Sequence, residues 1–365
     1  MSDNFLPEAA CVHIYTAKAR SGISAYAADF QEEVLGPEGY VQADPAAVVA
    51  HIGQFAPSTR FHIQLGVFQH QERAAMSKLL KAGYKNVEAT LHDPPFTSFP
   101  YFQFSSKWLM RFSRGFDWYL SSFGIQRRAL ERMRRIFVLS ERGAAVLKRM
   151  APAAKVVTFP HFLKSADVWA PGAPLPPALM YFGFIGPNKG LDYVFELHRA
   201  VKRIRPGTCL HVVGQANGAE AKNYLSRLRS SCGNDVLFHG YVPDEELDNI
   251  FAKCANVILP YMEYQYIMPA SGSIVQALRR ARLVWVREAN AVNEMIHDGD
   301  NGFILSMDAA VDANRLTELM ASPNSVRKIS EAARQSAIAM SNYPFRTHFA
   351  EAPKKHLANQ LKDRV

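Results

Sequence analysis

The 365-residue chain has few cysteines, and they stand far apart. The four are Cys11, Cys209, Cys232 and Cys254, with no Cys-x-x-Cys pair and no metal-ligand spacing to histidine. This pattern excludes a disulfide scaffold and argues against a zinc site built on paired cysteines. We interpret the four residues as core or surface thiols in a reducing compartment.

The sequence also lacks a hydrophobic run of about 18 residues, the length that a membrane-spanning helix needs. Its N-terminus, Met1 to Asn4, has neither the basic region nor the long apolar region of a signal peptide. Both absences predict a cytoplasmic protein. The 48% of hydrophobic residues nevertheless supply enough apolar material for two cores.

A run rich in proline and alanine interrupts the chain near its middle. Residues 170–177, Ala-Pro-Gly-Ala-Pro-Leu-Pro-Pro, can form neither a helix nor a central strand. We therefore predict a linker there, between an N-terminal domain over 1–169 and a C-terminal domain over 178–340. Residues 341–365 are left as a C-terminal tail.

The most informative segment is 179–192, where an apolar strand runs into a turn of glycine, proline, asparagine and lysine that opens a helix. Such a turn presents backbone N–H groups and one lysine, Lys189, to a phosphate. Glycines at this place also serve simply to pack a strand against a helix, so the segment alone does not establish a phosphate site.

Short apolar strands alternate with helical stretches along the whole chain. In the C-terminal half, strands are predicted at 209–213, 236–239, 256–259, 283–286 and 303–305. In the N-terminal half, they are predicted at 12–15, 62–65, 87–91, 136–139 and 156–159. The alternation indicates βαβ units and parallel sheets, whose ligands bind at the carboxyl ends of the strands.

The order of these motifs resembles retaining glycosyltransferases of the GT-B fold, in the large family 4 that includes many bacterial polysaccharide and glycolipid enzymes. The resemblance runs through six successive elements, namely Lys189-Gly190, 211–214, 238–247, Pro260-Tyr261, Ser271-Gly272, and Glu294 with 298–302. It implies an α/β protein with two Rossmann-like, doubly wound parallel-sheet domains that face each other across a cleft. It also implies that residues 341–365 cross back to the N-terminal domain.

The resemblance further implies a donor site mainly in the C-terminal domain. Residues expected to bind the donor diphosphate are Gly22, Lys189, Gly190, Ser271 and Gly272. Residues expected at the nucleoside are Gln215, Tyr241, Val242 and Gln276, and those expected near the sugar are Glu263 and Glu294. A plain helix cap is the alternative for Ser271 and for Glu294.

A His-Asp-Pro segment follows the third predicted strand and supplies the catalytic candidate, His92. The resemblance implies that His92 positions or stabilises the transferred sugar and does not attack it. The alternative is a histidine that only makes structural hydrogen bonds. The same resemblance implies transfer without a covalent intermediate, a required metal or another cofactor.

Two features depart from the family pattern. Many members have an arginine in the phosphate loop, where this chain has Phe184 and Gly186. Many also have two glutamates eight positions apart, which are replaced here by Met268 and Gln276. A glutamine can still hydrogen-bond a ribose, whereas a methionine binds a sugar hydroxyl poorly. Glu263 can substitute for a missing glutamate only if its loop is rearranged.

The chain carries a net charge of +9, and much of the excess lies between Lys107 and Arg135, where basic residues alternate with large aromatic ones. Such a pattern is typical of a surface that lies against anionic lipid headgroups. The membrane or acceptor surface is expected at Arg111, Arg114, Trp118, Arg127 and Arg128. The alternative is a helix whose aromatic residues pack into the domain. No nucleic-acid-binding module accompanies the charge, so no nucleic acid partner is predicted.

These observations predict an enzyme that transfers a sugar from a UDP- or GDP-sugar to a lipid-linked or saccharide acceptor, with retention, at the inner face of the membrane. Two alternatives stay open. One is a catalytically weak, glycosyltransferase-like scaffold subunit of a polysaccharide assembly complex, which Met268 and Gln276 favour. The other is a GT-B sugar-nucleotide epimerase, which needs acidic residues for proton abstraction that we cannot place in the sequence.

Overall fold

Contacts between residues divide the computed structural model into two units. The first comprises Met1–Leu139, Ala144–Phe159 and Tyr343–Val365, and the second comprises Ser140–Gly143 and Pro160–Asn342. The structure describes residues 3–17, 21–100, 106, 108–113, 116, 124–164, 168–169, 176–264 and 267–350. Most of the predicted linker lies outside these residues, and the break in contacts comes before it, after Phe159.

The first unit is built on a parallel sheet. Its strands are β1 (Cys11–Ile14), β2 (Tyr40–Ala43), β3 (Arg60–Val67), β4 (Val87–Leu91), β5 (Ser98–Phe99), β6 (Arg135–Val138) and β7 (Val156–Thr158). They lie in the order β2-β1-β3-β4-β6-β7, with β5 paired to β3. The apolar runs predicted as strands form β1, β3, β4, β6 and β7. The sequence pattern does not predict β2, which is only partly apolar, or β5, which has two residues.

Helices connect these strands. They are α1 (Gly22–Phe30), α2 (Pro45–Ala50), α3 (His70–Lys81), α4 (Ile125–Arg132) and α5 (Glu141–Met150), whose first residues belong to the second unit. Local chemistry fixes where α1 begins, because the Ser21 hydroxyl accepts a hydrogen bond from the Ser24 N–H at 3.1 Å. The Asp44 carboxylate caps α2 in the same way.

Residues from the end of the chain complete the core of the first unit. The Phe349 side chain is fully buried, and its ring centroid lies 5.1 Å from that of His62 and 5.0 Å from that of Phe137. The Arg60 guanidinium donates to the Phe349 carbonyl oxygen at 2.9 Å. Phe345 packs edge-on against Phe30 in the same cluster. The segment after Tyr343 is thus part of the first unit.

The second unit contains another parallel sheet. Its strands are β8 (Ala178–Phe182), β9 (Leu210–Val213), β10 (Val236–Gly240), β11 (Cys254–Leu259), β12 (Leu283–Val286) and β13 (Phe303–Ile304). They lie in the order β10-β9-β8-β11-β12-β13, and every pairing is parallel. This is the doubly wound Rossmann order, in which the direction of winding reverses between β8 and β11.

Helices flank this second sheet. They are α6 (Leu191–Ile204), α7 (Gly218–Arg229), α8 (Asp244–Ala252), α9 (Gly272–Arg279), α10 (Ala309–Met320) and α11 (Pro323–Ser341). All five strands predicted in this half are present, and β8 comes from the apolar start of the 179–192 segment. The prediction of two parallel-sheet α/β domains is confirmed. Across the described part of the chain, no helix is both long enough and apolar enough to cross a bilayer.

Two histidines are fully buried in the sheet of the first unit, His13 on β1 and His62 on β3. Burial lowers the pKa of His13 from 6.5 to about 3, although its hydrogen bond to Gln31 acts in the opposite direction. Burial also lowers the pKa of His62, and the nearby His13 and Arg135 add to this effect. Both imidazoles therefore stay neutral in the folded protein at mildly acidic pH.

We expect the folded state to lose stability as the pH falls from 6.5 toward 3, because the unfolded chain takes up protons at these histidines before the folded chain does. The loss is about 1.4 kcal/mol per pH unit for each such group. Urea unfolding between pH 7.5 and 4 tests this. His13→Gln, which does not titrate, should give a shallower dependence on pH, and an unchanged slope would contradict the assignment.

Candidate nucleotide-sugar site

The carboxyl ends of β8, β9 and β11 meet at one edge of the second sheet, and glycines let their loops touch. Gly183, just after β8, has a φ of +135°, and a Cβ atom built on Gly214 would lie 1.8 Å from the Gly183 carbonyl oxygen. The Gly183 N–H in turn donates to the Val213 carbonyl oxygen at 3.0 Å. The backbones of two successive βα loops are therefore in direct contact at the edge where ligands of this fold bind.

The predicted phosphate loop lies against the loop after β11. Gly190 has a φ of +71°, and a Cβ atom there would lie 2.3 Å from the Pro260 carbonyl oxygen, so only glycine fits. The Met262 N–H donates to the Asn188 carbonyl oxygen at 3.1 Å. These contacts hold the turn that carries Lys189 beside β11, at the point where the strand order reverses.

The Lys189 ammonium lies over two tyrosine rings. Its nitrogen is 4.3 Å from the ring centroid of Tyr261 and 5.4 Å from that of Tyr264. Cation–π contacts of this kind hold an ammonium group close to the aromatic rings. The sequence analysis named Tyr261 only as part of the family resemblance, with no contact to Lys189, and it did not name Tyr264. The sequence signal that could have identified them is their position. Both lie shortly after Pro260, which follows the buried strand β11, just as the turn with Lys189 follows β8.

The start of α9 belongs to the same edge. The Ser271 hydroxyl caps the helix by accepting from the Ile274 N–H at 3.4 Å. A Cβ atom on Gly183 would lie 2.9 Å from the Ser273 hydroxyl and 3.0 Å from the Tyr261 hydroxyl, so these two groups converge on the loop after β8. Burial raises the pKa of Tyr261, while Lys189 and the hydroxyls of Ser273 and Ser271 act to lower it.

Four of the predicted diphosphate residues, Lys189, Gly190, Ser271 and Gly272, thus lie at one edge of the second unit. The fifth, Gly22, is the first residue of α1 in the first unit, and a Cβ atom there would meet nothing within 4 Å. The imidazole of His161 also lies at this edge. Its Nε2 is 3.6 Å from the position that a Cβ atom of Gly272 would take. Burial lowers the pKa of His161 to about 4.

The predicted nucleoside residues follow the neighbouring strands β9 and β10. The Gln215 carbonyl oxygen accepts from the Ile185 N–H at 3.0 Å, and its amide nitrogen donates to Asn217 at 3.0 Å. Tyr241 is 59% exposed just after β10, and Val242 is half-buried against the core. Backbone and side chains after β8, β9 and β10 therefore line one continuous edge.

Gln276 lies in α9 and is already engaged by another residue. Its Oε1 accepts from Arg280 Nη1 at 2.6 Å. Arg280 is fully buried and also donates from Nε to the Asp248 carboxylate at 2.8 Å. No sequence signal links Gln276 to Asp248, which lies in the preceding helix, and sequence reasoning missed this arrangement.

The two glutamates expected near the sugar lie in different surroundings. Glu263 is exposed in the loop after β11. Glu294 accepts from the backbone N–H groups of Glu141 at 2.6 Å and Arg142 at 2.8 Å, so it caps the start of α5 and not its own short helix. An acidic cap at a helix N-terminus is favourable because of the helix dipole.

In the first unit, His92 belongs to a chain of hydrogen bonds that runs through the sheet. Its Nε2 donates to the Gln64 amide oxygen at 2.8 Å, and the Gln64 nitrogen donates to His13 Nε2 at 2.9 Å. His13 Nδ1 donates to the Gln31 amide oxygen at 2.9 Å, which fits a neutral imidazole. The network fixes the orientation of the His92 ring just beyond the end of β4.

The predicted basic and aromatic surface is partly described. The rings of Trp108 and Phe112 stack, and the ring of Phe116 lies tilted against that of Phe112. The three side chains are 72%, 61% and 45% exposed, in that order. These three aromatic residues therefore do not pack into the domain, which was the alternative. Arg111 is also exposed, while Arg114 and Trp118 lie outside the described residues.

Two further arginines of this predicted surface lie on α4. Arg127 pairs with Glu131 at 2.9 Å. Arg128 lines a groove of about 230 Å³ between α3 and α4. Its polar and charged lining residues are Arg73, Ser77, Lys81, Thr97, Gln126, Arg128 and Arg132. Within the described residues, no group of three or more His, Cys, Asp or Glu side chains is placed to hold a metal ion.

Comparisons with known proteins agree with this geometry. Residues 176–322, which include most of the second unit, match the model of the family Glycosyl transferases group 1. The GDP-mannose:glycolipid 4-beta-D-mannosyltransferase of Xanthomonas campestris pv. campestris is 27% identical over 161 residues, or 42% of this chain. The aligned part spans 43% of that relative, which is less than half of its length.

Two solved structures resemble nearly the whole chain. Sucrose-phosphate synthase from Thermosynechococcus elongatus has a TM-score of 0.71 and 15% identity, over 97% of this chain and 99% of that one. Anabaena HepE, solved with UDP and glucose, has a TM-score of 0.68 and 13% identity over the same shares. At these low sequence identities, the similarity shows a shared fold and nothing more.

The two parallel sheets and these solved structures show the GT-B fold, which confirms the fold that the resemblance in the sequence implies. The similarity to the family Glycosyl transferases group 1 concerns residues 176–322, which are less than half of the chain. Membership of family 4 and retention of configuration stay predictions.

Lys189→Ala should weaken the binding of a nucleoside diphosphate much more than that of the nucleoside, because the lost contact is a charge-assisted hydrogen bond of about 1.5–3 kcal/mol. Calorimetric titration of UDP, GDP and their nucleosides measures both affinities. Lys202→Ala is the matched control, since Lys202 lies in the last turn of α6 and pairs with Asp235. An equal loss for both ligands would refute the phosphate role.

Proposed function

We propose that this protein transfers a sugar from a nucleotide-diphosphate donor to a lipid-linked or saccharide acceptor. The observation that carries the proposal is the convergence of Lys189, the Tyr261 hydroxyl and the start of α9 in the crevice between β8 and β11. A ligand held there by its diphosphate extends its nucleoside along the ends of β9 and β10, where Gln215, Tyr241 and Val242 lie.

The reaction breaks the bond between the sugar C1 and a phosphate oxygen and forms a bond between C1 and an acceptor oxygen. Negative charge grows on the departing diphosphate, so groups fixed in advance to receive that charge lower the barrier. Lys189 supplies a cation, and the N–H groups at Ser271 and Gly272 supply aligned donors at a helix start. In the proposed reaction these groups stabilise the charge, and no metal or other cofactor takes part.

The resemblance supports transfer with retention. In that mechanism the acceptor attacks on the face from which the diphosphate leaves, and the acceptor proton passes to a departing phosphate oxygen. His92 then positions the sugar, a role that suits a ring oriented by Gln64 and His13. The configuration of the product at C1 tests this part of the proposal directly.

The proposed classes of donor and acceptor are taken from what the names of similar proteins state. The Xanthomonas relative is named for GDP-mannose and a glycolipid, and HepE was solved with UDP-glucose. We therefore propose a UDP- or GDP-sugar as the donor. We also propose that the protein works at the cytoplasmic face of the membrane, where lipid-linked acceptors are found.

The aromatic and basic surface of the first unit supports a location at the membrane. Trp108, Phe112 and Phe116 follow at intervals of four residues, and their exposed rings contact one another in sequence. Aromatic rings next to arginines favour the boundary between anionic headgroups and acyl chains. Arg111, Arg127 and Arg128 would contact the headgroups.

Release of nucleoside diphosphate from UDP- and GDP-sugars should depend on added acceptor, supplied as a bacterial lipid extract. Lys189→Ala should lower kcat/KM by about 100-fold or more, as expected for a group that stabilises transition-state charge. Lys202→Ala should retain activity. Donor binding without release would favour the scaffold alternative, and release that needs no acceptor would favour the epimerase.

Replacing Arg111, Arg114, Arg127 and Arg128 with glutamine should release the protein from anionic liposomes without unfolding it. The reason is that each basic residue near such a surface contributes about 1 kcal/mol to binding. Sedimentation with phosphatidylglycerol vesicles measures the bound fraction, and circular dichroism checks the fold.

The matched control removes the same charge from the second unit by changing Arg203, Lys222, Arg327 and Lys328, all exposed, to glutamine. This control should still sediment with the vesicles. If the first variant also remains bound, the proposed membrane surface is wrong.

A further inference from the structure

A large aromatic side chain is exposed directly after β3 in the first unit. Phe68 is 67% exposed, and among the described residues its ring pairs with one other ring, that of His70, with centroids 6.5 Å apart. Single exposed apolar side chains are common, so exposure alone assigns no role to Phe68. The backbone of this residue supplies a second observation.

The Phe68 backbone adopts a conformation that a bulky residue rarely takes. Its φ is +62°, in the left-handed region, where a side chain is crowded by the backbone. Phe68 is the third residue of a turn that Gln69 closes by donating its N–H to the Gly66 carbonyl oxygen at 3.2 Å. Glycine or asparagine usually occupies the third position of a turn with a positive φ. A phenylalanine at this position therefore lowers the stability of the folded chain.

Neighbouring elements hold the turn in this conformation. The Phe68 N–H donates to the Phe99 carbonyl oxygen of β5 at 3.0 Å, and the Val67 N–H donates to the Asp93 carboxylate at 2.7 Å. The His70 N–H, at the start of α3, donates to the Phe68 carbonyl oxygen at 2.9 Å. Backbone strain that the surrounding structure maintains in this way is concentrated at sites that hold a ligand.

The turn lies at the carboxyl edge of the first sheet, beside the catalytic candidate. A Cβ atom on Gly66 would lie 3.3 Å from His92 Cβ, 2.6 Å from the Asp93 carboxylate and 2.6 Å from the side chain of Ile23 at the start of α1. The loops after β3 and β4 and the start of α1 therefore meet here, at the edge where parallel sheets bind their ligands. The exposed ring of Phe68 follows two residues after this contact.

The surroundings of Phe68 differ from those of the aromatic and basic surface. In that surface several rings contact one another beside arginines, an arrangement suited to lipid. Near Phe68 lie hydrogen-bonding groups instead, namely the His70 imidazole, which is bonded to the Ser98 hydroxyl at 3.0 Å, and the Asp93 carboxylate. A pyranose suits such a place, because its C–H face packs on the negative face of an aromatic ring while its hydroxyls reach polar groups.

We propose that a sugar ring of the acceptor stacks on Phe68, so that the acceptor group bound at this edge of the first unit is a saccharide and not a lipid chain. This inference rests on the proposed function. The turn holds the Phe68 backbone in place before the acceptor binds, and less conformational freedom is then lost on binding.

Phe68→Leu tests the proposal in the transfer reaction, because leucine keeps an apolar side chain and removes the ring face. The KM for the acceptor in the bacterial lipid extract should rise by about twofold to tenfold, the effect of one aromatic contact, and the KM for the donor should not change. Phe68→Tyr should retain the values of the wild type. Val311→Ala, at an exposed position of α10 in the second unit, is the control. An unchanged acceptor KM in Phe68→Leu would overturn the proposal.

Sugar binding is also measured without turnover, by saturation-transfer NMR in the presence of UDP or GDP. The probes are the methyl glycosides of glucose, mannose, galactose and N-acetylglucosamine. At least one probe should receive saturation from the wild type and at least about twofold less from Phe68→Leu. Equal transfer from both proteins, or none from the wild type, would contradict the proposal.

Sedimentation with phosphatidylglycerol vesicles separates a sugar contact from a lipid contact. Phe68→Asn should sediment with the vesicles to the same extent as the wild type. If this variant is released from the vesicles, Phe68 contacts lipid and the proposal is wrong.

The backbone strain provides a readout of its own. Phe68→Asn should raise the thermal unfolding midpoint by about 1–3 °C, because asparagine tolerates a positive φ and the exposed ring contributes little burial. The same variant should raise the acceptor KM. Val311→Asn, at a helical position that is 53% exposed, should not raise the midpoint. A lower midpoint in Phe68→Asn than in the wild type would show that Phe68 serves stability, and would overturn the proposal.

The inference and the proposed function fail in different experiments. A wild-type chain that binds neither UDP nor GDP, or transfers no sugar, would overturn the proposed function. A wild-type chain that transfers sugar, with Phe68→Leu equal to it in acceptor KM and in saturation transfer, would overturn only the role of Phe68.

Discussion

The close approach of the Gly190 backbone to Pro260 is the contact on which the crevice of the second unit depends. Any side chain at residue 190 would collide with the Pro260 carbonyl oxygen, and the positive φ adds a second reason for glycine. Because nothing separates the two loops, the turn after β8 and the turn after β11 form one surface. Lys189 therefore reaches Tyr261, whose hydroxyl lies beside the start of α9.

The same surface holds its positive charge on aromatic rings. A cation–π contact is worth about 0.5–2 kcal/mol, so the two tyrosine rings help to hold the Lys189 ammonium at the crevice. The helix start adds partial positive charge that needs no rearrangement. The crevice thus combines the Lys189 cation with fixed backbone donors, an arrangement suited to a diphosphate whose charge increases during the proposed reaction.

Local sequence was sufficient for the strongly apolar strands and for the turn that carries Lys189, but it did not predict β2, which is only partly apolar, or β5, which has two residues. Apolar runs predict the parallel strands, and glycine beside lysine at the end of β8 predicts the turn. Local sequence does not predict pairings between distant residues. Arg280 with Asp248, Glu294 with the start of α5, and His92 with Gln64 depend on how elements pack, and no short spacing encodes them.

The burial of Phe349 in the first unit affects how the chain can fold during synthesis. Residues of the N-terminal sheet leave the ribosome first, yet the aromatic cluster around His62 and Phe137 is incomplete until the last described residues have emerged. The second unit has its whole sheet available before then. Domains usually complete folding from the N-terminus onward. In this chain that order is partly reversed, because the first unit is synthesised first but can complete its core only after the sheet of the second unit has been synthesised.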